Sequence, residues 1–399
     1  MATPLRPALS PSPATGQEEI RRQNLGAVLR YIHVHGPTSR AELTGRLGLN
    51  RSTIGALAAD LVALGLVVEE VPTIARRAGR PSLVVSPRPE RVWVRAVSVE
   101  PEQLRAARIG LGGLILDRRE APRPRGAAPP DTAAELASLI RATERDLDSD
   151  ALCAGGAVAI FDTARRSDAT GENKALAAAL DDALRPAGPD RPGFVTADLA
   201  GAAAVAVHIR GVAAGIDDLV YLHGAVGVSA GLVLGGRLVT GHGGHGGKVG
   251  HMVVHPHGRL CECGSRGCWD TEVGIEALLR GAGVSAGTSP QVVVRAAARG
   301  DIAAGHALHA VADWLGFGVA NLVNLFNPDI VVFGGTLGEV YTAGAADVHR
   351  RLDAMALPAS RKHLKLRAST LGADAPLIGA AELAFEHLLA DPLKAPAAG

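Results

Sequence analysis

The sequence predicts two architectures in one chain: a small, basic, mostly helical module at the N-terminus and a larger α/β body. Three observations carry this. Residues 1–92 hold twelve Arg and seven Asp plus Glu, net +5, while the whole chain is only +1, which leaves −4 for the rest. Within that basic stretch, short helical patterns meet at a tight glycine-containing turn. Beyond it, apolar runs alternate with helical patterns, the signature of an α/β fold. The 399 residues suit roughly two to three domains. At 47% hydrophobic and 20% charged residues, wholesale disorder is excluded. Aromatics are 3%, so Ala, Val, Leu and Ile must fill the core.

In the basic module, Leu25, Val28, Leu29 and Ile32 form one apolar stripe, and Gly36-Pro37 stops the helix. Ser39-Arg40-Ala41-Glu42 has the form of a capping box for a second helix. Leu43 and Leu47 bury that helix and Gly48 ends it. Asn50 can cap a third, with Ile54, Leu57, Leu61 and Leu64 inward and Gly65 closing it. Strands at Leu66–Glu70 and Ser82–Val85 then flank a loop with Arg76, Arg77 and Gly79-Arg80-Pro81. The module reads as a winged helix-turn-helix whose third helix would enter the major groove of double-stranded DNA. Its candidate DNA contacts are Arg40, Arg51, Ser52, Thr53, Arg76, Arg77 and Arg80, with Arg80 suited to a narrow minor groove. Gly55 and Ala56 leave the outer helix face low. A small helical dimerisation module with solvated arginines is the competing reading.

In the body, strands are expected at Val92–Val99, Ala157–Ile160, Leu219–Leu222, Gly231–Leu234 and Ile330–Phe333. Helices are expected at Ala133–Leu147, Ala175–Leu184, Ala202–Val207, Ile302–Phe326 and Ala375–Leu389. No internal repeat is evident. The start, Met1 to Gln17, lacks an apolar signal core, and no run approaches a membrane span, so a soluble cytoplasmic protein without a membrane partner is expected.

The strongest chemical signal is His251 followed by Cys261-Glu262-Cys263-Gly264-Ser265-Arg266-Gly267-Cys268. Three thiolates and one imidazole are the ligand set of a closed, tetrahedral structural zinc site. Cys-x-Cys places two sulfurs on one turn, and Gly264 and Gly267 let the third curl back. Three reduced buried cysteines, or a redox pair, are the alternatives. His242, His245, His255 and His257 are expected to be ordinary loop residues.

The stretch from Gly244 through Gly250-His251 and Cys261-Glu-Cys-Gly-x-x-Gly-Cys268-Trp269-Asp270 closely resembles the signature of the ROK family (repressors, open reading frames, sugar kinases). The likeness runs from Arg21 to about Leu389, and the winged module places the chain beside the repressor-type members. The resemblance implies an actin-like, two-lobed ATPase fold with a ligand cleft between the lobes. The implied boundaries are a flexible tail 1–20, the winged module 21–86, a linker 87–92, lobe 1 at 93–195 plus 380–399, and lobe 2 with the zinc site at 196–379.

The family's catalytic and sugar-binding positions map onto Asp198, Lys248, His251 and Asp270. Asp198 keeps the family's aspartate, but the asparagine before it is lost. Lys248 reverses the charge of the family's glutamate, and Asp270 shortens another. The family's phosphate-binding Asp-x-Gly-Gly-Thr corresponds to Ser98-Val99-Glu100-Pro101-Glu102, which has lost the aspartate, both glycines and the hydroxyl. Gly227-Val228-Ser229-Ala230-Gly231 and Gly334-Gly335 are partly kept. Ile160-Phe161-Asp162-Thr163-Ala164 replaces a Pro-Gly turn of the family's sugar binders. Phosphoryl transfer needs a base, a phosphate cradle and a metal-holding carboxylate.

The expected function is therefore a non-catalytic transcriptional regulator, a repressor by family analogy, of carbohydrate-related genes. It would act as a homodimer or homotetramer on operator DNA. Lys248 would favour an anionic effector such as a sugar phosphate or sugar acid, or else would pair with Asp198 or Asp270 and fill the site itself. An ATP-dependent sugar kinase and an effector-independent regulator are the alternatives.

Overall fold

The computed structural model describes residues 13–71, 82–124, 126–148, 150–161, 169–184 and 193–394. Helix α1 (Pro13–His35) starts well before Arg21, so the expected tail of residues 1–20 is helical from Pro13. Strand β1 (Thr38–Ser39) leads into α2 (Arg40–Leu47) and α3 (Arg51–Ala63). Strands β2 (Val67–Glu70) and β3 (Val84–Pro87) complete a three-stranded antiparallel sheet of order β1-β3-β2. Both expected caps form: Ser39 Oγ accepts from Glu42 N at 3.1 Å and Asn50 Oδ1 from Thr53 N at 2.8 Å. The Glu42 carboxylate instead accepts from Tyr31 Oη, 3.4 Å away. Gly48 and Gly65 hold φ of 67° and 69°, the left-handed conformation that stops a helix.

The body has two sheets. The first runs through β4 (Val92–Val99), β5 (Gln103–Gly110) and β6 (Ile115–Pro122) as a meander, with α4 (Pro129–Thr143) following. It is completed by β7 (Leu152–Ile160), α5 (Ala169–Ala183) and β8 (Phe194–Asp198), in the order β6-β5-β4-β7-β8. Helix α6 (Leu199–Arg210) leads to the second sheet, with β9 (Leu219–Gly224), β10 (Val228–Leu234) and β11 (Arg237–Leu238). Short α7 (Asp270–Val273) and α8 (Ile275–Gly281), then α9 (Pro290–Ala298) and α10 (Ile302–Phe326), lead to β12 (Ile330–Gly335). Helices α11 (Thr336–Met355) and α12 (Pro358–Arg361), β13 (Lys365–Ala368) and α13 (Ala375–Ala390) close the chain, with sheet order β11-β10-β9-β12-β13.

Numbered within itself, each sheet reads 3-2-1-4-5, its first three strands antiparallel and its last two parallel. The body is thus a topological duplication that residue patterns do not betray. Two boundaries also shift. Asp198 belongs to the first sheet's last strand, and α13 begins at Ala375, with Leu377 in the core under the first sheet and Ala375 and Ile378 in the core with the second.

The module is not held apart by a linker at 87–92. Pro87 ends β3, Val92 begins β4, and one apolar core runs through both parts. Leu25, Val28, Leu61 and Val85 of the module share it with Val92, Ala202, Phe385 and Leu388 of the body. Gly26 permits this: a Cβ there would stand 2.6 Å from the Leu389 carbonyl oxygen, so α1 and α13 touch backbone to backbone.

Candidate functional site

Helix α3 presents Arg51 and Ser52 to solvent and half-buries Thr53. The capping carboxamide of Asn50 also accepts from Ser52 Oγ at 2.8 Å, which fixes the first turn. Arg40 is placed differently from expectation. Its guanidinium donates twice to the Glu69 carboxylate on β2, tying α2 to the sheet. Gly55 serves that pair: a Cβ there would meet Arg40 Nη1 at 3.3 Å, so its smallness makes room for Arg40, and only Ala56 lies open to solvent. Arg76, Arg77 and Arg80 lie outside the described residues.

The ligating atoms of His251, Cys261, Cys263 and Cys268 lie within 4.8 Å of one another. Cys261 Sγ is 3.7 Å from His251 Nδ1, and Cys263 Sγ is 3.6 Å from Cys268 Sγ. A tetrahedron with metal–sulfur bonds of about 2.3 Å has edges of about 3.8 Å, so these spacings fit one. They are too long for a disulfide, whose S–S bond is about 2.05 Å.

The local chain explains the cluster. Cys261 N donates to Ser265 O at 2.7 Å and Gly264 N to Cys261 O at 3.0 Å, closing the Cys-x-Cys turn. Gly267 has φ 71°, and a Cβ there would stand 1.6 Å from the His255 carbonyl oxygen, so no other residue fits. Burial and the neighbouring thiols push Cys268 up to about 12. Burial pushes Cys261 up too. Cys263 is held below its ordinary value in spite of burial, by hydrogen bonds from the Ser265 backbone and its sulfur neighbours. Near neutral pH, three thiolates this close repel one another, and a bound cation is what would offset that repulsion. His242, His245, His255 and His257 are exposed and outside the cluster; His255 stacks on Trp314 with ring centres 5.8 Å apart.

At the sheet-to-helix junction, Asp198 Oδ1 caps α6 by accepting from Ala200 N at 3.0 Å, and its Oδ2 takes the Lys248 ammonium at 2.9 Å. Asp270 accepts from Val228 N at 2.6 Å and is wedged between Gly227 and Gly250. A Cβ on either glycine would come within 2.8 Å of its carboxylate. Burial raises the Asp270 carboxyl above the usual range, against the pull of the Val228 amide and His251. The structure thus brings Asp198 to Lys248 and Asp270 to His251.

None of these four residues lines the large interlobe cleft of about 1450 Å³. Glu100, Glu102, Arg105 and Arg123 line it from lobe 1, and His223 and Gly334-Gly335 from lobe 2. Within that lining, Arg105 donates to Glu100, whose carboxyl burial pushes up against that guanidinium. His223 is buried and pushed down to about 4, by burial first and then by Arg105. Sequence reasoning missed Arg105, Arg123 and His223. Only His223 left a signal, a lone imidazole in the apolar run Leu219–Gly224. The segment Asp162-Thr163-Ala164 lies outside the described residues.

The xylose repressor of Bacillus subtilis is 28% identical over 191 residues, 48% of this chain and 50% of the repressor, so the chain spans about half the length of that relative. The N-acetylmannosamine kinase of Escherichia coli is 30% identical over 300 residues, 72% of this chain and 97% of the kinase. Among solved structures, a ROK family transcriptional regulator homologous to the E. coli MLC protein superposes with TM-score 0.76 at 24% identity, over 94% of this chain and 98% of that one. A ROK family glucokinase from Streptomyces griseus, bound to glucose and AMPPNP, superposes with TM-score 0.60 at 24% identity, over 73% and 98%. The two structures show a shared fold, one with the body alone and one with nearly the whole chain. The ROK family model matches residues 96–387, which takes in the cysteine cluster, the second sheet and all of the first sheet but the start of β4, and the chain belongs to the ROK family.

Proposed function

We propose that this chain is a DNA-binding transcriptional regulator, a repressor of carbohydrate-related genes, acting in the cytoplasm as a homodimer or homotetramer. The observation that carries the reading is a capped helix with Arg51 and Ser52 at its exposed leading end, on a winged module that shares one core with the body. The similarity to a xylose repressor supports it. Among the described residues no helix is long and apolar enough to cross a membrane. Arg51, Ser52 and Thr53 would meet the duplex at phosphates and base edges, and Arg76, Arg77 and Arg80 remain proposed contacts from the sequence. Arg40 would act indirectly, by holding α2 against β2.

His251, Cys261, Cys263 and Cys268 fit a structural zinc ion, which when bound would supply a fixed charge and no open coordination position. Lys248, Asp198, His251 and Asp270 would form the effector site. Because Asp198 already occupies the Lys248 ammonium, an effector enters by exchange, and an anionic group such as a sugar acid or sugar phosphate is what competes for it. The phosphate turn is replaced by the Glu100–Arg105 pair, so sugar phosphorylation is not expected, although the kinase likeness keeps it testable.

The test has two arms. The purified chain is titrated with genomic duplex fragments at several salt concentrations, and salt-dependent, sequence-selective binding is expected. It is also incubated with ATP and a sugar panel, where ADP release would establish the kinase reading. Calorimetry with neutral and anionic sugars decides the effector: heat from neutral sugars only rejects the anionic class, and no heat at all leaves a regulator without effector.

A further inference from the structure

We propose that α6 is a rigid rod that carries the state of the Lys248–Asp198 pair to the DNA-reading module, through a buried latch of Arg210, Glu382 and His33. One end of the helix is Asp198, its cap and the partner of Lys248. The other end is Arg210, twelve residues on and about 18 Å away along the axis.

Arg210 holds three parts of the molecule at once. Its Nε donates to Glu382 on α13, its Nη1 to the carbonyl of Gly112 at 2.9 Å, and its Nη2 to the carbonyl of His33 at 3.1 Å. His33 lies in the last turn of α1 and is 0% exposed. The Gly112 amide donates to its Nδ1 at 2.9 Å, which leaves Nε2 as the ring's donor to Glu382, also at 2.9 Å. Gly113 makes the space, since a Cβ there would stand 2.3 Å from the Arg210 guanidinium. The module, the β5–β6 turn, α13 and α6 therefore meet at one buried ionic node.

The rod between the two ends has little compliance. Leu199 through Ala204 are all buried. A Cβ at Gly231 of β10 would meet Ala200 O at 2.2 Å, and one at Gly379 of α13 would meet Ala202 O at 1.7 Å. These are backbone contacts on two sides, with no long side chains to absorb a shift. A displacement that starts when a ligand pulls Lys248 from Asp198 must move α13 and Arg210 with it. Breaking a buried charged node by shifting one member is costly, so the node has two discrete states, held or released.

The proposal rests on reading Lys248–Asp198 as the effector site, but its test uses neither DNA nor effector. Hydrogen exchange is measured by mass spectrometry on the full chain, comparing wild type with Lys248→Met. Exchange is expected to rise about tenfold in the last turns of α1 and in the 110–113 turn, far from position 248. In an Arg210→Met background those amides start high, and adding Lys248→Met should raise them no further. His33→Leu, which removes only the module's side of the latch, should abolish the coupling in the same way and serves if Arg210→Met does not fold. An unchanged α1 in Lys248→Met, or additive effects in the double variants, would overturn the proposal. Operator binding measured separately can fail while the coupling stands, and the reverse, so the two readings fall independently.

Discussion

Replacing Gly318 on α10 by alanine should damage a metal site that Gly318 does not touch. A Cβ at 318 would stand 2.0 Å from Trp269 Cε2 and 2.2 Å from Cζ2. That is about 1.4 Å inside the near edge of ordinary contact, and a close-packed interior has no slack to absorb it. Trp269 is 0% exposed and its indole N–H donates to Trp314 O at 2.8 Å, so the ring cannot slide without losing that bond. Overpacking of this kind costs about 1–3 kcal/mol, and the lost hydrogen bond about 1 kcal/mol more. The cheaper escape is for the ring to move, and the residue before it is Cys268. A zinc site tolerates displacements of only about 0.2 Å in its ligand distances. Metal affinity should therefore fall by about 10–100-fold, the usual effect of disturbing what supports a ligand.

The assay is competition for zinc with a chromophoric chelator, read beside the tryptophan emission maximum. Gly305→Ala on the same helix is the internal control, because a Cβ there meets nothing within 4 Å. It should leave the metal untouched and stabilise the helix by about 0.5–1 kcal/mol. If Gly318→Ala holds zinc as tightly as wild type, the idea that the core seats the metal loop through Trp269 is wrong.

Arg51→Ala should weaken binding to duplexes of all sequences alike and lower the slope of log affinity against log salt by about 0.9, read by fluorescence anisotropy at several salt concentrations. Arg40→Ala and Glu69→Ala should each destabilise the module by about 1–2 kcal/mol, and the double variant little more than either, since both remove one part-buried pair; a double-variant cycle in urea decides it. His223 sits at about 4 against 6.5 in an unfolded chain, so the unfolded state binds its proton more readily in that window. The stability it contributes is complete above about pH 6.5 and falls by about 3 kcal/mol as pH drops toward 4. Melts of His223→Gln should show a smaller loss between pH 7 and pH 4.5 than wild type, and equal losses would refute the assignment.

What could be read from the sequence follows from how far apart the cooperating residues lie. The four candidate metal ligands crowd into one short stretch whose glycines announce the turn, and the caps of α2 and α3 act within three residues. Strand β4 is buried along nearly its whole length and reads as an apolar run interrupted only by Arg95 and Ser98. Strands β5 and β6 escaped notice because their charges pair across the sheet, Arg105 opposite Glu120 and Arg108 opposite Asp117, and break the apolar pattern. Arg40 looked like a DNA contact because its partner Glu69 comes 29 residues later. The latch was invisible for the same reason: His33 lies 177 residues from Arg210 and 349 from Glu382. The duplicated 3-2-1-4-5 order resides in strand pairing, which no residue pattern records.

A shared pattern runs through the polar groups around the cleft and the junction: where a family enzyme would need a free group, this chain has an internal partner. Asp198 serves two α6 amides and an ammonium, which leaves its carboxylate little capacity to accept a hydroxyl proton. Glu100 is engaged by Arg105, and Asp270 braces the Val228 loop. On the regulator reading proposed above, each pairing would trade a catalytic option for a mechanical one, because a ligand entering there would break a contact that also positions an element. In the regulator proposed above, binding energy would go into moving α6 and α13 together against the DNA-reading module. A ligand shifts such an equilibrium only by its differential affinity for the two states, and an ammonium that must choose between Asp198 and an incoming anion provides that difference at the site itself.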